Sequence, residues 1–224
     1  LYAACEAARA ILTGEHAVGR VIARPFEGEP GAFRRTAGRR DYGVPPPAPS
    51  YVDLLEEAGA RAIGVGKVGQ VFSGRGFAED RAAYDNTSAI ATIAQLLEEM
   101  DAGFAFANLV DTDQVYGHRK DVDGFHEALR EIDDAVAHWL ERLRDGDMLV
   151  LCADHGCDPA HPGTDHTREY APLLAVFAGH DGRRVDGPLA SVGASALRWL
   201  RGRDAPLPGE AFAPSPGARA GAPI

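Results

Sequence analysis

Apolar positions along residues 123–144 recur every three or four residues: Phe125, Leu129, Ile132, Val136, Trp139, Leu140 and Leu143. That period predicts the longest helix of the chain. A second helix is predicted over 86–100, with Ile90, Ile93, Leu96 and Leu97 on one face. Ser50 followed by Asp53 reads as an N-terminal capping box, with Gly59 as the stop, for a helix over 51–58. Residues 1–12 and 188–200 predict two more helices. Short apolar or β-branched runs predict strands at 19–26, 61–65, 103–110, 147–152 and 173–177.

Beyond residue 50 strands and helices alternate, which argues for an α/β domain with a mostly parallel sheet flanked by helices. In such sheets the ligand site lies outside the carboxyl ends of the strands. Residues 27–49 read as loop, with several glycines, four arginines and the Pro45-Pro46-Pro47 run. That run stiffens the chain and cannot join a central strand, so it marks a boundary between 1–44 and 45–201. Residues 202–224 are rich in Gly, Ala and Pro and are expected to form a mobile tail with at most a local contact.

Composition narrows the function classes. The 224 residues are 45% hydrophobic and 25% charged, enough for one large or two small domains. A net charge of −10 disfavours nucleic acid as a partner, although Arg34-Arg35 and Arg39-Arg40 could hold a small phosphate. No apolar run approaches membrane-spanning length and no secretory signal is visible, so a soluble protein is expected. Cys5, Cys152 and Cys157 form no CxxC pair, which fits a reducing, cytoplasmic compartment. Leu1 is not an initiator residue, consistent with a piece of something longer.

The chemistry concentrates at two strand ends. Asp154 and His155 follow the apolar strand at 147–152, and His166 arrives eleven positions later beside Asp165. Upstream, Asp111, Asp113 and His118 follow the strand at 103–110. Ionisable pairs at the end of an apolar strand are costly to bury without a partner, and carboxylate with imidazole suits a divalent cation such as Mn²⁺ or Zn²⁺. Two such ends make a plausible two-metal phosphoryl-transfer site. Periodicity does not choose between Asp111 and Asp113; either Asp111 or Asp121 would serve to cap the following helix. His126 and His138 fall on the long helix and face solvent, while His16, His161 and His180 fall in loops. Cys157 reads as a small buried apolar residue, and Thr164 and Thr167 carry no specific signal as nucleophiles. The run Gly64-Val65-Gly66-Lys67-Val68-Gly69 lacks the Walker spacing, but Lys67 at a strand end can reach a phosphate as a single charge. Arg20, Arg24 and Arg35 could add bidentate contacts.

Four segments resemble the phosphopentomutase family of the alkaline phosphatase superfamily: GRVIARPFEGEPGAF at 19–33, IGVGKV at 63–68, NLVDTDQVYGHR at 108–119 and ADHGCDPAHPGTDHTREYAPLL at 153–174. The resemblance implies an alkaline-phosphatase-like core with a mostly parallel sheet flanked by helices, plus part of a small α+β cap domain. Residues 1–44 would be the closing part of that cap and 45–201 the closing part of the metal-binding core. It implies interconversion of (deoxy)ribose 1-phosphate and (deoxy)ribose 5-phosphate, in nucleoside catabolism, with two Mn²⁺ ions and a phosphorylated threonine. One metal would be held by Asp113, His118 and His166, the other in part by Asp154 and His155. Arg20, Arg35 and Lys67 would contact the pentose phosphate. No segment matches the family's early metal-binding Asp or its nucleophilic Thr, so turnover by this chain alone is expected to be absent or very low. Two rival readings are a metal-dependent phosphatase or phosphodiesterase, and a non-catalytic fragment that binds metal and sugar phosphate.

Overall fold

The computed structural model describes residues 1–36, 38–179 and 182–216; His180 and the last eight residues of the expected tail fall outside the described residues. The chain opens with helix α1 (Tyr2–Ile11), which packs on a two-stranded antiparallel ladder of β1 (Arg20–Ala23) and β4 (Arg40–Gly43). Tyr2 fastens the unit: its hydroxyl donates to Gly38 O at 2.6 Å, and the Arg40 guanidinium lies 4.1 Å from its ring centre. A second hairpin pairs β2 (Phe26–Glu27) with β3 (Arg34–Arg35).

The single strand expected at 19–26 is therefore split between two hairpins. Pro25 separates them, because it has no N–H to give to a ladder. The stretch expected as loop carries β3 and β4 instead. Their residues, Arg-Arg and Arg-Asp-Tyr-Gly, show no apolar alternation because both strands are largely exposed.

Helix α2 (Tyr51–Glu57) starts at the predicted box: Ser50 N donates to Asp53 Oδ2 at 2.6 Å, and Asp53 N donates to Ser50 Oγ at 3.4 Å. Strand β5 (Ala62–Val65) follows, buried along its whole length as the centre of a three-stranded parallel sheet. Its neighbours are β6 (Glu79–Arg81) and β7 (Phe104–Ala107); between them come the one-turn helix α3 (Val68–Val71) and α4 (Asn86–Glu99). Ala89 and Leu96 of α4 pack on Ile63 and Val65, while Leu55, Ala196 and Leu197 form a second core cluster with Phe104 packed on it. Burial on both sides explains why β5 reads as an unbroken apolar run.

Helix α5 (Val122–Leu140) lies along α4. Its buried stripe is Ala128, Ala135 and Trp139, whereas Leu129 and Leu140, expected on the inner face, are 48% and 42% exposed. Small alanines let two helices approach closely, so the contact follows shape more than side-chain size. Strands β8 (Met148–Cys152) and β9 (Leu173–Phe177) form a separate antiparallel pair. Residues of the final helix α6 (Ala190–Arg201) pack on both the α2 side of the parallel sheet and the β8–β9 pair. Part of the segment expected as mobile tail runs along α6: Phe212 and Ala213 are buried with Trp199, and Phe212 N donates to the buried Ser195 Oγ at 2.9 Å. No described helix is long and apolar enough to cross a membrane.

Candidate metal centre

The loop after β7 decides which aspartate is free. Asn86, fully buried at the first position of α4, is bonded both ways to Asp111. Asn86 N donates to Asp111 Oδ2 at 2.9 Å, and Asp111 N donates to Asn86 Oδ1 at 3.0 Å. Asp111 is thus committed to the start of α4, where a carboxylate satisfies an orphan helix N–H. Asp121 caps α5 by accepting from Gly124 N at 2.9 Å. Asp113 remains. A wide turn over Thr112–Tyr116 and a 3₁₀ turn over Gly117–Arg119 bring it to the same side as His118. Gly117 is required by closeness: a Cβ there would strike Cys157 Sγ and lie 2.7 Å from Thr112 O.

The second loop leaves β8 with Asp154 and His155 and returns through a bridge between Gly156 and Thr167. That return stacks His166 on His155, with ring centres 3.5 Å apart and planes at 14°. The other side of the cluster is His118, whose ring centre is 5.0 Å from that of His166.

Asp113, His118 and His166 each present one ligand atom, all within 4.8 Å of one another. Asp113 Oδ1 lies 3.3 Å from His118 Nε2 and 3.2 Å from His166 Nε2. His118 Nδ1 sits 2.6 Å from Thr164 O. A carbonyl oxygen only accepts, so Nδ1 carries a proton, and in the neutral ring Nε2 keeps a lone pair near Asp113 Oδ1. Asp113 Oδ1 is buried and no described donor satisfies it. Acceptor facing acceptor is repulsive unless a cation lies between them. Around an ion with ligands at about 2.1 Å, adjacent donors lie about 3.0 Å apart in octahedral and about 3.4 Å apart in tetrahedral geometry. The spacings of 3.2 and 3.3 Å fall in that interval, so the nitrogen and oxygen donors present fit a divalent metal, with Thr164 O fixing the tautomer of one ligand.

Asp154 and His155 flank this triad. His155 Nδ1 is 3.1 Å from Gly156 O, and its Nε2 is 3.5 Å from Asp154 Oδ2, a carboxylate that is 86% exposed. Cys157 is half-buried rather than the fully buried residue expected; burial first, and then the Asp113 charge, push its thiol up. Sequence reasoning passed over Asn86 as well, although an Asn one position after a helix-capping Asp85 is a legible sign.

Lys67 closes the other side. Its N–H donates to Asn108 Oδ1 at 2.9 Å, and its Nζ donates to Gln114 Oε1 at 2.5 Å, one residue past Asp113. Burial, followed by the nearby Arg39 charge, holds its ammonium below the usual lysine range; Asp41 and Asp113 act the other way and Arg20 adds to Arg39. Arg20 of β1 is 3.6 Å from Asp41 of β4. Arg35 is exposed on β3, in the second hairpin, and Arg24 is exposed just past β1.

Comparison with known proteins gives a consistent family. The sequence model of a family described as the Metalloenzyme superfamily matches residues 67–202. A phosphopentomutase of Caldanaerobacter subterraneus is 49% identical over 174 residues, covering 78% of this chain and 44% of the relative. A phosphopentomutase of Acetivibrio thermocellus is 42% identical over 215 residues, covering 95% of this chain and 55% of the relative. The chain thus spans about half the length of the curated relatives it matches. Among solved structures, a phosphoglycerate mutase of Leishmania mexicana superposes with a TM-score of 0.56 at 20% identity, covering 73% of this chain and 38% of that one. A protein from Pyrococcus horikoshii superposes with a TM-score of 0.51 at 18% identity, covering 67% and 47%. These two likenesses concern the fold.

Proposed function

The chain belongs to the Metalloenzyme superfamily, and we propose that the protein it represents is a cytoplasmic phosphopentomutase, moving a phosphoryl group between C1 and C5 of ribose or deoxyribose. The observation that carries the reading is Asp113 Oδ1, buried, without a donor, and faced by two imidazole nitrogens. Asp113, His118 and His166 hold one Mn²⁺; Asp154 and His155 supply part of the shell of a second. Bound there, the cations would screen the charge of a phosphoryl group and favour nucleophilic attack on it. The chain's own residues do the rest. Thr164 O keeps the proton of His118 on Nδ1, so Nε2 stays a ligand. Lys67, on a strand end beside Gln114, and the hairpin residues Arg20 and Arg35 hold the phosphate of the pentose. The family's phosphothreonine has no counterpart in the motifs of these 224 residues, so the isolated chain should bind metal and sugar phosphate with little or no turnover.

The test has two parts. Calorimetry on the 224-residue chain should show Mn²⁺ binding that H118A and H166A each weaken by at least tenfold. The full-length protein should convert α-D-ribose 1-phosphate to ribose 5-phosphate. Release of inorganic phosphate without the isomer would instead identify a phosphatase.

A further inference from the structure

Asp41 is the one well-buried carboxylate, among the described residues, of the cationic corner that faces Lys67, and it holds two guanidiniums. Its side chain is 15% exposed. Arg39 grips it with two parallel bonds, Nε to Oδ1 at 2.9 Å and Nη2 to Oδ2 at 2.9 Å. Arg20 approaches the same Oδ2 at 3.6 Å. The ladder register explains the meeting: Ile22 stands opposite Asp41 and Arg20 opposite Gly43, so Arg20 and Asp41 project from one face as diagonal neighbours. The end of β4 abuts α3, the one-turn helix that Lys67 begins. A Cβ on Gly43 would lie 3.2 Å from Ser73 Oγ, in the turn that closes α3.

Arg20, Arg39 and Lys67 are thus balanced by Asp41 and Asp113 alone, and the described residues of the corner leave one positive charge uncompensated. Arg39 can serve more than Asp41. A guanidinium offers five N–H groups, and the fork on Asp41 uses two, leaving the Nη1 edge free. A phosphate monoester supplies negative charge to this corner, and its oxygens suit an Arg edge.

We propose that Arg39 is a further phosphate-binding residue and that Asp41 is a positioning residue, which tethers Arg39 by one edge and Arg20 by contact so that both point at the anion held by Lys67. The inference rests on the reading of the ligand as a sugar phosphate. The cap hairpin then has a defined role, which is to deliver a preorganised pair of guanidiniums to the core.

The deciding experiment is calorimetric binding of ribose 5-phosphate to the Mn²⁺-loaded 224-residue chain. R39A should weaken binding about ten- to a hundredfold, as expected for a charge-assisted hydrogen bond. R39K should fall nearly as far, because an ammonium keeps the charge but not the fork. D41N should weaken binding by several-fold, and R39A/D41N should be little worse than R39A. Mn²⁺ affinity should not move, and R130A on the exposed face of α5 should bind as the parent chain does. Wild-type affinity in R39A, with the parent chain binding normally, would overturn the role of Arg39 and leave the function reading intact. Wild-type affinity in D41N alone would overturn the role of Asp41. A fall in Mn²⁺ affinity in R39A would place its effect on the fold or the metal shell and overturn the inference. No binding of ribose 5-phosphate by the parent chain would overturn both readings.

Discussion

Replacing Asp113 by Asn should stabilise the metal-free chain while abolishing its response to metal. A ligand-site mutation ordinarily weakens both. Here Asp113 Oδ1 is a buried acceptor with no donor, opposite a lone pair of His118 at 3.3 Å. An unsatisfied buried acceptor costs about 1–3 kcal/mol, and a new neutral hydrogen bond contributes about 1 kcal/mol. An Asn amide turned toward His118 Nε2 removes the first and forms the second. The Asp113 side chain is 30% exposed, which argues for the lower half of that range. A net gain of about 2–3 kcal/mol corresponds to about 4–12 °C in a chain of this size. The parent chain should gain about 2.7 kcal/mol from Mn²⁺ at a hundred times its Kd, and D113N almost none. Melting of both chains at pH 8, where a free imidazole is neutral, with chelator and with Mn²⁺, reads all four values. D113N melting below the parent in chelator would refute the acceptor-against-acceptor argument, and an undiminished Mn²⁺ shift would refute Asp113 as a ligand.

Two further outcomes follow from the same geometry. G117A forces a Cβ into Cys157 Sγ and Thr112 O, so urea unfolding should show a loss of about 1–3 kcal/mol, with Mn²⁺ affinity falling as Asp113 and His118 lose register. Asp53 is buried within reach of Arg75 Nε at 2.6 Å; burial raises its carboxyl, but the Ser50 and Arg75 bonds outweigh that and hold it below the usual aspartate range. Its contribution is therefore complete above about pH 4 and disappears as the pH falls through the lower folded value. R75A should cost about 1–2 kcal/mol at pH 7, since Arg75 is a third exposed, and the difference from the parent should shrink on acidification below pH 4.

What could be read from the sequence was local. The boundaries of β9 and the box that starts α2 depend on neighbours within a few positions, and the structure places them where the pattern did. The Asp and His groups that follow the strands were legible in the same way. Periodicity left the choice between Asp111 and Asp113 open and only the family resemblance pointed to Asp113; in the fold Asn86, 25 positions away, engages Asp111. The inner face of α5 was misjudged for a related reason: the partner helix selects Ala128 and Ala135 by shape, while hydrophobicity alone favours Leu129 and Leu140. Strands β3 and β4 were hidden because a small exposed hairpin needs no apolar alternation, so Arg34-Arg35 looks like loop until its partner Phe26 is known.

The centre joins two sheets that share no ladder. Its candidate ligands come from the loop after β7, on the parallel sheet, and from the loop after β8, on the antiparallel pair. Metal alone could draw such loops together, but the contacts between them do not depend on it. His118 Nδ1 is bonded to Thr164 O, Lys120 Nζ donates to Pro162 O at 3.2 Å, and Gly117 admits Cys157 against its own backbone. All three fasten the turn after Asp113 to the segment between His155 and His166. The ordering entropy of bringing the loops together is therefore largely met by protein contacts, and the ligand atoms stand near coordination spacing before any ion arrives. A site built this way gains affinity from preorganisation. It also leaves Asp113 Oδ1 as an acceptor that no described protein group satisfies, so in the proposed centre metal binding and fold stability would be coupled through that carboxylate.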